Sequence, residues 1–180
     1  GLDIGGGSTE FILNRPGHAS IVHSVEIGVV RLTERLFTSD PPTADEIQAA
    51  RELIAKEAEQ VRTMLGELGG VTLVGTAGSI TTLAAMAQKL TTYEPIRIHN
   101  YRLSLETIRG LERELLGRTT AQRREMPGLE AGREDVVVAG TLILRGVMET
   151  LGFSEGLVSV VGLREGILLD LGARRQRSNE

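Results

Sequence analysis

The chain opens on a motif that leaves few choices for its first twenty residues. Gly1-Leu2-Asp3-Ile4 runs straight into three glycines, Gly5-Gly6-Gly7, and then into Ser8-Thr9-Glu10-Phe11-Ile12-Leu13. Residues 2–4 read as the end of one strand and Ser8–Leu13 as the next, joined by a tight glycine turn. Ser20–Ile27 makes a third strand, after a loop holding Pro16-Gly17. Three short strands in succession predict an antiparallel meander. A strand normally has several residues ahead of such a turn, and no initiator Met stands here, so the 180 residues are expected to belong to a longer chain.

The rest of the chain alternates helix with strand. Gly28–Phe37 reads as a short helix stopped at Ser39-Asp40-Pro41-Pro42, and Thr43-x-x-Glu46 is a capping box that starts a longer one. Ile47, Ala50, Ile54, Ala58, Val61, Leu65 and Leu68 form its apolar stripe, and Gly69-Gly70 is the predicted stop. Val71–Val74 is a short buried strand, Gly75–Ser79 a turn and Ile80–Leu90 a helix. Leu103–Leu116 is helical with Ser104 as its cap, and Thr119–Leu129 is irregular. Val136–Leu151, apolar on nearly all sides, is a helix buried between layers. Leu157–Val161 is the last strand, Gly162–Leu171 the last helix, and Ala173–Glu180 a charged tail. Residues 1–180 are therefore expected to form a single α/β domain, with a mixed five-stranded sheet and helices on both faces.

Several function classes are excluded by composition. A net charge of −4 argues against a protein that coats DNA or RNA. There is no Cys, so disulfides, thiol nucleophiles and Cys-based zinc sites are out. His18, His23 and His99 lack metal-site spacing. No apolar run is long enough for a membrane span and no signal peptide is visible, which makes a cytoplasmic soluble protein the default.

Two glycine turns carry the chemistry. In the first, Gly5, Gly6 and Gly7 let backbone N–H groups approach an anion such as phosphate, and Ser8 offers a further donor. Asp3, at the end of its strand, supplies a hard oxygen suited to Mg²⁺ or Mn²⁺. Side chains alternate along a strand, so Ser8 and Glu10 share a face and Glu10 becomes a second carboxylate at the site. A plain hairpin whose turn needs positive φ explains the glycines equally well. In the second turn, Gly75-Thr76-Ala77-Gly78-Ser79 ends a strand and opens a helix, where free N–H groups and the helix dipole favour an anion. It is neither a Walker loop nor a Rossmann turn. Its structural alternative is a tight connection capped by Ser79. Arg133 is either a cleft-facing cation or a solvated helix-start residue. Arg123-Arg124 could touch a polyanion but reads first as a solvated face, Arg164 and Glu165 read as a structural pair, and His99 receives no chemistry.

Asp3-Ile-Gly-Gly-Gly-Ser-Thr-Glu10 resembles the second phosphate-binding motif of the exopolyphosphatase and guanosine pentaphosphate phosphohydrolase family, within the actin-like ATPase superfamily. Ser24-Val-Glu-Ile-Gly28-Val-Val-Arg31-Leu-Thr33-Glu34, Gly75–Ser79, Gly132-Arg133-Glu134-Asp135 and Gly162-Leu-Arg-Glu-Gly166 follow in that family's order. The resemblance implies a ribonuclease-H-like domain, the C-terminal half of a two-domain enzyme that removes terminal phosphate from polyphosphate or pppGpp with Mg²⁺ and water. It implies that Asp3 and Glu10 are metal-linked catalytic carboxylates. Gly5, Gly6, Gly7 and Ser8 would hold phosphate, while Gly75, Gly78, Ser79 and Arg133 line the cleft. The family's first phosphate loop and catalytic glutamate lie upstream of this motif, so this chain alone is expected to hydrolyse little. A homodimer would suit a long polyanion. The competing readings are an ATP-dependent kinase half, which needs an adenosine pocket near Gly75–Ser79, a non-catalytic sensor of guanosine tetra- or pentaphosphate, and a dimerisation module.

Overall fold

The computed structural model describes residues 1–162. The predicted helix over 162–171, all but its first residue, and the charged tail lie outside them. The elements run β1 (Leu2–Ile4), β2 (Thr9–Leu13), β3 (Ile21–Val25), α1 (Val29–Leu36), α2 (Ala44–Leu65), β4 (Val74–Thr76) and α3 (Ala77–Ala87). They continue with α4 (Pro95–Ile98), β5 (Arg102–Ser104), α5 (Leu105–Leu116), α6 (Thr120–Arg124), α7 (Val137–Leu151) and β6 (Glu155–Val158). One mixed sheet has the order β3-β2-β1-β4-β6-β5. The meander β3-β2-β1 is antiparallel, β1 pairs parallel with β4 and β4 parallel with β6.

Among the described residues the sheet has six strands, not five. The extra one, β5, is three residues that pair antiparallel with β6 at the sheet edge. It directly precedes α5, whose N-cap Ser104 accepts from the Thr107 N–H as expected. Several boundaries also differ. The strand expected at 71–74 is β4 at Val74–Thr76, and it runs directly into α3 at Ala77, so the turn expected over Gly75–Ser79 is the end of that strand and the first residues of the helix. The α2 helix stops at Leu65, because Gly66 takes a left-handed φ of 68° there, four residues before Gly70. The stretch from Thr119 holds a short helix, α6, started by a second capping box, Thr119 with Gln122.

One face of the meander is apolar and buried. Leu2 opposes Phe11, Ile4 opposes Thr9 and Thr9 opposes Val25, which places all of them on the same side. Helix α7 is the hub of the helical layer. Val138, Ala139, Ile143, Val147 and Met148 are all buried, each large side chain contributing roughly 1.5–3 kcal/mol. Gly146 admits Ile54 of α2, whose Cγ2 would lie 2.5 Å from a Cβ at that position. Gly140 sits where α7 meets the heads of two other helices, within 3.2–3.4 Å of Ser79 on α3 and Val29 on α1 for the same added atom. Among the described residues no helix is long and apolar enough to cross a membrane.

Candidate active site

The glycine turn closes a two-residue hairpin: the Gly5 N–H donates to the Ser8 carbonyl at 2.9 Å. None of Gly5, Gly6 or Gly7 has a left-handed φ, so conformational freedom does not explain them. Close approach does. The Gly5 carbonyl accepts from Val29 N–H at 2.9 Å, and the Gly6 carbonyl from Val30 and Arg31 at 2.9 and 3.1 Å. The turn is thus the cap of α1, which has no side-chain cap of its own. Gly28, the residue ahead of that helix, lies so near that a Cβ on it would stand 2.4 Å from the Gly6 carbonyl carbon. Because a trans peptide points its N–H opposite to its C=O, the Gly6 and Gly7 amides face away from α1. Together with the Ser8 amide they have no backbone or side-chain acceptor among the described residues. Three successive donors without an acceptor among the described residues are a geometry that can receive an anion.

Beside the cradle, Asp3 and Glu10 are directly paired across β1 and β2. Because Gly1 exchanges backbone bonds with Ile12, and Gly5 donates to Ser8, Asp3 and Glu10 fall at a hydrogen-bonded pair, with Cα atoms about 5.5 Å apart. The register extends the row on both sides: Thr76 of β4 opposes Asp3 and Ser24 of β3 opposes Glu10. Four strands therefore present Thr76, Asp3, Glu10 and Ser24 in line on the face opposite Leu2 and Ile4. Glu10 Oε1 accepts from the Ser8 hydroxyl, and from Ser24 Oγ at 3.3 Å. No cationic side chain among the described residues pairs with either carboxylate. Burial, and then the charge of Glu10, push the Asp3 carboxyl above its ordinary value. Ser8 has one hydroxyl proton, and Glu10 takes it. The donor Ser8 offers an anion is its amide.

The Gly75–Ser79 segment, where β4 passes directly into α3, lies at the same end of the sheet, since β1 and β4 are parallel and Asp3 is level with Thr76. Open α/β sheets bind ligands at that end of their strands. Ala77, the first residue of α3, is left-handed with φ 72°, a strained state for a residue with a Cβ. Thr76 does not cap the helix; its hydroxyl donates to the Val161 carbonyl at 3.0 Å. The Arg133 guanidinium lies directly on Gly78, where a Cβ would meet Nη2 at 1.7 Å. Its Nε donates to Glu130 at 2.7 Å, and the Thr82 hydroxyl donates to the same carboxylate oxygen at 3.4 Å. A cation rests on the positive end of a helix with one carboxylate to offset both, an arrangement that an anion completes.

Two residues of this turn have other occupations. Gly75 faces the core, and a Cβ there would stand 2.7 Å from Ile80 Cδ1. Ser79 is buried with its side chain against Gly140, leaving its amide at the helix head. The expectation of a solvated Arg123 is overturned. Arg123 is buried, donates to the Leu115 and Glu134 carbonyls and sits 4.0 Å from Asp40, because it ties α6 to its surroundings. Arg124 pairs with Glu134 at 2.9 Å. His99 Nδ1 accepts from the Val160 N–H at 3.4 Å. Arg164 and Glu165 lie outside the described residues. Sequence reasoning passed over Ser24, Thr76 and Glu130, whose roles depend on long-range register and packing.

Residues 1–174 match the Ppx/GppA phosphatase family. The chain belongs to that family. It is 38% identical over 177 residues to Exopolyphosphatase 2 of Mycobacterium tuberculosis, a match covering 94% of this chain and 54% of that protein. A guanosine-5'-triphosphate,3'-diphosphate pyrophosphatase of Photobacterium profundum is 28% identical over 170 residues, covering 94% and 33%. The crystal structure of the type II variant of the Aquifex aeolicus Ppx/GppA phosphatase superposes with a TM-score of 0.84 at 33% identity, covering 94% of this chain and 55% of that one. The Ppx/GppA chain thus spans about half the length of its exopolyphosphatase relative.

Proposed function

We propose that this chain is the C-terminal, ribonuclease-H-like half of a two-domain cytoplasmic enzyme that hydrolyses terminal phosphoanhydride bonds of inorganic polyphosphate or pppGpp. The observation that carries the reading is the pair Asp3 and Glu10, without a cationic partner among the described residues, beside three backbone donors with no acceptor among them. Family membership supports it, as do the names of relatives that act on both kinds of substrate.

The pair fits Mg²⁺ or Mn²⁺ by its chemistry: two hard carboxylates, adjacent and without a cationic partner among the described residues. Mg²⁺ keeps waters and takes one or two carboxylates plus substrate phosphate oxygens, which two adjacent carboxylates can supply. Bound there, the ion would neutralise charge on the reacting phosphoryl group. The chain's own residues do the positioning. The Gly6, Gly7 and Ser8 amides grip phosphoryl oxygens, and Arg133 with the Gly78 and Ser79 amides at the head of α3 offsets charge further along the anion. Asp3 and Glu10 orient water and metal. Phosphoryl transfer asks for little more than positioning and charge neutralisation, and the remaining groups are assigned to the other half.

Phosphate release from long-chain polyphosphate and from pppGpp, with and without Mg²⁺, tests this on the 180-residue chain and on the longer parent protein. Mg²⁺-dependent release by the parent, with little from the short chain, is the expected result. Nucleotide binding with no turnover in the parent would replace the enzyme with a sensor. ATP-dependent transfer to an acceptor would make it a kinase.

A further inference from the structure

Glu10 is held by two hydroxyls that converge on one of its oxygens. Ser8, two residues earlier on the same strand face, and Ser24, opposite Glu10 on β3, both donate to Oε1. Oε2 has no partner among the described residues, and neither has either oxygen of Asp3. We infer that Ser24 is a positioning residue: together with Ser8 it fixes the rotation of the Glu10 carboxylate, so that Oε2 is the oxygen presented beside Asp3. The inference rests on the proposed role of Asp3 and Glu10 as the metal-linked pair.

The physical case comes from the side chain itself. Glu has three rotatable bonds, and its last torsion is broad, so strand geometry alone does not orient the carboxylate. A single donor leaves it free to swing about that one contact. Two donors from different strands, meeting on the same oxygen, define its plane. Ser24 is exposed, and the one hydrogen bond its hydroxyl makes among the described residues is to Glu10. A partner that orients a metal-binding carboxylate typically affects metal affinity or activity by about 10- to 100-fold. Here two hydroxyls share the task, so each single loss is smaller than the joint one.

The test uses the longer parent protein and compares Ser24→Ala, Ser24→Thr and Ser8→Ala/Ser24→Ala with wild type. Mn²⁺ binding is read by electron paramagnetic resonance, together with kcat and KM for polyphosphate. Ser24→Ala is expected to weaken Mn²⁺ binding by about threefold to tenfold and to lower kcat with KM nearly constant. Ser24→Thr, which keeps the hydroxyl, restores both. The double variant loses more than the product of its single losses. Wild-type Mn²⁺ affinity in Ser24→Ala, or a change confined to KM, overturns the inference. Crystal structures of the parent and of Ser24→Ala supply a readout that does not need turnover. A Glu10 carboxylate that rotates away in the variant supports positioning, and one that stays in place overturns it. If the wild-type parent neither binds Mn²⁺ nor releases phosphate, the proposed function fails, and the Glu10 rotamer still decides the role of Ser24.

Discussion

The guanidinium of Arg133 occupies the space in which a side chain on Gly78 would begin, 1.7 Å from the ideal Cβ position. The contact is with the far end of a flexible side chain, so Gly78→Ala displaces Arg133 without tearing the fold. Stability should change by less than about 1 kcal/mol, since alanine also favours a helix over glycine. Affinity for inorganic polyphosphate should fall by about tenfold or more, the loss of one charge-assisted contact. Thermal melting and isothermal calorimetry on the longer protein separate the two effects.

Gly28 predicts the opposite pattern. Its added Cβ would strike the backbone of Gly6 and Gly7 at 2.4–2.5 Å, and backbone cannot swing aside. Gly28→Ala must part α1 from the turn that caps it. A loss of roughly 2–3 kcal/mol in urea unfolding is expected. A variant as stable as wild type would mean that the turn and α1 are not joined in this way.

Asp3 is ionised at a cost in stability. Its carboxyl is raised above 3.8 by burial and then by Glu10, so the folded chain favours the protonated form. The stability this group contributes is complete below pH 3.8 and is lost as pH rises through the folded value. At pH 7 the fold therefore carries an ionised Asp3 at a cost. Asp3→Asn should melt at a higher temperature than wild type at pH 7, with the gap narrowing near pH 3, while Mg²⁺-dependent phosphate release in the parent disappears. A lower melting temperature at pH 7 would contradict the cost of ionising Asp3 where burial and Glu10 oppose its charge.

Glu46 titrates in the other direction. Hydrogen bonds from the Thr38 hydroxyl and from the Thr43, Thr38 and Ser39 amides lower it from 4.5 to about 2. Its contribution is present above pH 4.5 and is lost as pH falls through about 2. Glu46→Gln should flatten that part of the acid limb of a stability-against-pH curve and leave activity in the parent intact. Urea midpoints between pH 2 and 6 measure it.

Relief at Ala77 is a further expectation. Its left-handed φ of 72° suits glycine, so Ala77→Gly removes backbone strain. The offset from greater freedom of the unfolded chain leaves a net gain of about 1 kcal/mol or less. Chemical denaturation reads the gain directly.

What was legible in the sequence was local. The capping box at Thr43 and Glu46, the Ser104 cap, the opening meander and the apolar α7 each depend on residues within a turn or two of one another. The strand β5 was not legible, because three residues acquire strand geometry only by pairing with β6, some fifty positions away. The α6 helix had its signal in plain view, Thr119 three residues before Gln122, but five residues carry no periodicity to confirm it. The glycines at 5–7 pointed to the right turn for a reason that differs from φ. The row from Thr76 to Ser24 lay beyond reach, since it is assembled from the register of four strands.

Gly140 sets the scale of this site. It lets one helix touch Val29, whose amide is bound to the first turn, and Ser79, whose amide heads the second. The spacing between the hairpin turn and the head of α3 is therefore gauged by a missing methyl group. A side chain at position 140 would crowd Ser79 and Val29 at once, at 3.2–3.4 Å, and press on both segments together.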